Sequence, residues 1–82
     1  MQKIWERLGL EQRDWRKLAE AFYDLAHNDT RKFDLLDDHL KATPAGVLCS
    51  RYIRTRDHGL VDQAGKLITG SAHWYTYLGR IM

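Results

Sequence analysis

The amino-acid sequence predicts a mainly α fold, a small helical bundle with one β-hairpin in its C-terminal half. Three observations carry that reading. Apolar residues recur at intervals of three and four over most of the chain, most clearly from Trp15 to Ala26. Thr43-Pro44 marks an abrupt boundary, after which the same periodicity resumes. Finally, in GLVDQAGKLITG from Gly59 to Gly70, two short apolar runs flank a glycine-containing turn, which reads as a hairpin.

Ile4, Trp5 and Leu8 fit one or two helical turns over about residues 2–8, and Gly9 suits the position just past the end. Over 10–27 the period is unbroken. Trp15, Leu18, Ala19, Phe22, Leu25 and Ala26 form one stripe, with charged residues opposite. Asn28-Asp29 ends that helix, and Thr30 is the expected N-cap of a third over 31–42, with Phe33, Leu35, Leu36 and Leu40 turned inward. Its carboxylates Asp34, Asp37 and Asp38 read as a solvated face.

Thr43 and Pro44 then open a helix over 44–56, a proline at the first position lacking only an N–H that would go unpaired anyway. Ala45, Leu48, Cys49, Tyr52 and Ile53 line its inner face, with Gly46, Val47, Ser50, Arg51 and Arg54 outside. The hairpin follows over 59–70, with strands near Leu60-Val61 and Lys66 to Thr69 and a turn from Asp62 to Gly65. Ser71 caps a last helix over 71–80, where Trp74, Tyr77, Leu78 and Ile81 make the apolar stripe and Gly79 is expected to fray the end.

A chain of 82 residues makes one small domain, 1–82. At that size it buries roughly 60–65% of its unfolded surface, so the core is a dozen or so side chains. With 44% hydrophobic and 29% charged residues, the chain falls in the globular class and not the disordered one. One cysteine cannot form an internal bridge, which places the protein in a reducing interior, the cytoplasm. No run approaches the length of a membrane span, so no membrane partner is expected. The net charge of +2 is uneven: residues 1–42 carry eight Lys/Arg against nine acids, whereas residues 43–82 carry five against two.

Chemistry-bearing residues are few. His27, His39, Cys49, His58 and His73 have none of the close spacings of zinc sites, and neither a metal nor a cofactor is expected. Cys49 lies on an inner face and reads as a packed thiol. Asp57 and His58 are neighbours in sequence, which points their side chains apart, and no hydroxyl or thiol stands ready for them to activate. An enzyme is not expected.

Two functions remain. Helices over 10–27, 31–42 and 44–56 followed by a hairpin have the element order of a winged helix-turn-helix, which the stretch 10–70 resembles in that order alone. The resemblance implies a small DNA-binding regulator. Ser50, Arg51 and Arg54 would read bases, while Arg56 and Lys66 would hold phosphates, the latter from the wing. Ala45 and Gly46 would let the helix N-terminus approach the backbone of the duplex. The alternative is a protein-binding module, a regulator or inhibitor that docks on a larger assembly. Its motive is nine aromatic rings in a chain with so small a core. The run HWYTY cannot bury every ring on one side of a helix, so His73 and Tyr75 are expected outside, as a partner surface or a homodimer contact.

Overall fold

The computed structural model describes residues 3–81, and at position 81 the backbone alone. Seven helices and no strand occur among the described residues. The expected start of the first helix at Gln2 lies outside them.

The first helix, α1 (Ile4–Arg7), is a single turn in which the Glu6 carboxylate accepts from the Lys3 backbone N–H at 3.2 Å. Gly9, at φ 71°, turns the chain into α2 (Gln12–Ala26). Along α2 the stripe Trp15, Leu18, Ala19, Ala21, Phe22 and Leu25 is buried, as the periodicity requires. Asn28 adopts φ 66° and ends the run; asparagine tolerates that left-handed geometry better than most residues.

The single helix expected over 31–42 is instead two turns, α3 (Arg31–Asp34) and α4 (Asp38–Lys41). Electrostatics favours the break. In one continuous helix Asp37 and Asp38 would sit towards the negative C-terminal end. Interrupting it at Leu35 to Asp37 places Asp38 in a new first turn and leaves His39 and Lys41 for the last. The Lys41 ammonium donates back to the Asp34 carbonyl at 3.0 Å. As a consequence Leu35, expected inside, is 84% exposed. Thr30 makes no side-chain cap; the Asp29 carboxylate takes that place, accepting from the Arg31 backbone N–H at 3.1 Å and from its guanidinium at 2.7 and 3.0 Å.

Thr43 does cap α5 (Pro44–Thr55), its hydroxyl oxygen accepting from the Gly46 N–H at 3.1 Å and donating to the Leu40 carbonyl at 2.6 Å. Two residues, Arg56 and Asp57, then turn the chain into α6 (His58–Thr69).

This helix replaces the expected hairpin, and with it the winged-helix-like architecture. Its buried residues Val61, Ala64, Gly65 and Ile68 recur at three, one and three, a helical spacing within an apolar run short enough to imitate two strands. Both ends carry helix signals: the Asp57 carboxylate accepts from the Gly59 N–H at 3.0 Å, and Gly70 supplies φ 69° at the C-terminus. Gly65 is not a turn glycine. A Cβ there would meet the Trp74 indole at 2.4 Å, so the missing side chain is what lets α7 (Trp74–Ile81) pack on α6. That last helix starts at Trp74, not at residue 71. Ser71 caps only the preceding turn, accepting from the His73 N–H at 3.0 Å, and Gly79 does not interrupt the helix.

A helix that touches α1, α2, α5 and α7 is the hub of the fold, and α6 does so. Trp15 fastens α2 to it, its indole N–H donating to the Ile68 carbonyl at 2.8 Å. Trp74 joins α7 to α2 by an edge-on contact with Phe22, ring centroids 5.0 Å apart. Around these lie Leu18, Leu25, Cys49, Tyr52 and Leu78, all buried.

Candidate functional site

The outer face of α5 keeps two of the expected DNA-reading residues together. Val47, Arg51 and Arg54 follow one another at four and three residues, which aligns them along a single stripe, and all three are exposed. Ser50, also expected there, is only half-exposed at the edge of that stripe. Arg56 is the left-handed residue that ends α5, at φ 57°, and its guanidinium stands over the Tyr52 ring at 5.6 Å. Among the described residues none of these three arginines forms an ion pair.

Two other parts of the expected DNA surface are absent. Lys66 is in the last turn of α6 and not on a wing; its ammonium pairs with Asp62, one helical turn away, at 3.2 Å. Gly46 is buried and does not face outward. A Cβ on it would lie 2.5 Å from the carbonyl oxygens of Leu40 and Lys41, so the start of α5 is packed against α4 where a phosphate was expected to approach.

Chemistry elsewhere is restrained by packing. Cys49 is buried, and burial pushes its thiol up to about 12, which keeps it protonated and unreactive. The neighbours Asp57 and His58 do not act as a pair: the carboxylate caps α6 while the imidazole lies against Tyr52, ring centroids 5.6 Å apart. No cluster of three or more metal-ligating side chains occurs among the described residues.

The residues expected at a partner surface, His73 and Tyr75, are both exposed and lie together. Their rings meet edge to face with centroids 6.3 Å apart, and Tyr75 meets Trp74 in the same way at 5.6 Å. Trp74 is itself fixed. Its ring lies against Gly65, and its indole N–H donates to the Asp62 carboxylate at 3.0 Å. That hydrogen bond, with the one from Lys66, holds the Asp62 carboxyl below its usual range. Asp62 thus links Lys66 to the Trp74 indole, whose ring meets Tyr75.

Tyr77 joins the exposed set at 41% where the apolar stripe predicts burial. Of that stripe Leu78 is buried, Trp74 half-buried and Tyr77 displaced to the side, while the Ile81 side chain lies outside the described residues. The exposure of Leu35 has no counterpart in the sequence reading, because the interruption of 31–42 was not expected. Its only signal was the placing of Asp37 and Asp38 past the middle of the expected helix, away from its positive N-terminal end.

Comparison with protein-family models, with curated proteins and with solved structures gives no match for this chain.

Proposed function

We propose that this chain is a protein-binding module that engages its partner through the aromatic surface of α7. One observation carries the reading: Tyr75 is 58% exposed, and its ring meets those of His73 and Trp74 edge to face. A large solvent-facing ring with few rotatable bonds loses little freedom on docking, and tyrosine offers an apolar face with a hydroxyl at its rim. Tyr77, on the same short helix, extends the surface. The DNA reading rested on a wing and on an open helix start at Gly46. With both gone, it retains only the solvent-facing arginines of α5.

The test is photo-crosslinking from position 75 with an aromatic photoreactive residue, using the full chain. A discrete protein adduct is expected, displaced by excess unlabelled chain but not by its Tyr75→Ala variant. The Arg51→Ala/Arg54→Ala double variant should compete as well as the unsubstituted chain. Failure to find an adduct, together with binding of a DNA duplex at low salt that Arg51→Ala/Arg54→Ala removes, would overturn the proposal in favour of a wingless DNA-binding surface.

A further inference from the structure

Two exposed surfaces outside α7 carry charges of opposite sign that form no ion pair among the described residues. The first is the outer face of α5, where Arg51 and Arg54 follow the exposed Val47 along one stripe, with Arg56 just past the helix end. The second is the edge formed by the end of α3 and the start of α4. Asp34, Asp37 and Asp38 are exposed there around Leu35, at 84% the most solvent-exposed large hydrophobic residue described. None of these three carboxylates forms an ion pair among the described residues. Lys41 donates to the Asp34 carbonyl and Lys32 pairs with Asp24, while Lys17 and Lys32 line one groove with Leu35 and Asp37 without pairing with that carboxylate.

The two sets do not pair with each other among the described residues. The start of α5 abuts α4 at Gly46, and Arg51 and Arg54 follow further along the helix, roughly 8 and 12 Å away at 1.5 Å per residue. The α5 face thus presents guanidinium groups beside the exposed Val47, and the α3–α4 edge presents carboxylates of opposite sign beside the exposed Leu35.

We propose that the chain self-associates head to tail, the arginine face of α5 in one copy seating on the Asp34–Asp38 edge of a second copy. Val47 and Leu35 lie within the contact, beside the charges. Such a contact closes as a two-fold dimer where both faces pair reciprocally, and otherwise leaves one free basic face and one free acidic face on which the assembly grows or closes into a ring. It involves no residue of α7, and the partner surface there stays available.

Sedimentation equilibrium of the full chain tests this directly. Self-association is expected at low salt and should weaken at least tenfold between about 0.05 and about 0.5 M salt, where screening shortens the reach of exposed charges. The charge reversals Arg51→Glu/Arg54→Glu and Asp37→Lys/Asp38→Lys should each give a monomer with unchanged helical circular dichroism. Mixing the two variants should restore association, because both faces of each variant are opposite in sign to those of the other. Tyr75→Ala should leave the association unchanged, which separates this result from the fate of the α7 proposal. If a reversal unfolds the chain, Arg51→Gln/Arg54→Gln serves in its place. A chain that stays monomeric at low salt, or an association that survives either reversal, would overturn the proposal.

Discussion

Gly65 and Cys49 show how a single position in this protein is governed by what surrounds it. A methyl group on Gly65 would lie inside the Trp74 ring, and that ring cannot retreat without losing its bond to Asp62 and its contact with Phe22. Gly65→Ala is therefore expected to destabilise the protein by about 1–3 kcal/mol, the usual cost of overpacking, visible as a lower denaturation midpoint and altered tryptophan fluorescence. Cys49 contributes through its proton. Its folded pKa of about 12 stands above the ordinary 9.0, so the unfolded chain loses the proton first as pH rises. Stability from this group is complete below pH 9 and is lost between there and about 12. The slope approaches about 1.4 kcal/mol per pH unit inside that window. Alkaline denaturation of a Cys49→Ala variant should lack this component, and an identical pH profile in both proteins would contradict the assignment.

At the scale of elements, the sequence was legible where a long amphipathic period met clear punctuation. The stripe of α2 and the Thr43-Pro44 start of α5 were both readable from residue types alone, because capping and periodicity are local effects. The α6 segment was not. Twelve residues with a glycine near the middle satisfy a hairpin template and a helix template together, and the choice depends on Gly65 meeting Trp74, a tertiary contact that no local rule reports. Its capping residues were nevertheless present in Asp57 and Gly70. They supply a test: Asp57→Ala removes the cap on the Gly59 N–H and should cost about 1 kcal/mol. Gly70→Ala forces a side chain into φ 69° and should cost about 1–2 kcal/mol. Urea titrations of both variants check this, and an unchanged midpoint in each would mean that helix ends are not what these residues form. The break between α3 and α4 went unread for a different reason: carboxylate placement against the helix dipole is worth little per residue and decides only between nearly equal alternatives.

For the whole molecule, replacing a peripheral wing by a central helix changes what the surface can do. A hairpin would have projected Lys66 beside the arginines of α5. As a helix, α6 binds α1, α2, α5 and α7 around one core and commits Lys66 to Asp62. The same packing fixes Trp74 and thereby sets out Tyr75 and His73 on the exterior. Of the candidate partner surface, His73 and Tyr75 were foreseeable from the density of rings in HWYTY, whereas the seating of Trp74 on Gly65, beside which Tyr75 lies, is a tertiary contact of α6 with α7. The helical identity of residues 58–69 and their contact with Trp74 thus underlie both the fold and the functional proposal. A nuclear Overhauser spectrum of the folded chain measures this most directly. The expected result is sequential i to i+3 contacts throughout 58–69 and cross-peaks between the Gly65 α-protons and the Trp74 indole. Cross-strand contacts pairing Leu60 and Val61 with Lys66 to Ile68, with no Gly65–Trp74 cross-peak, would contradict it.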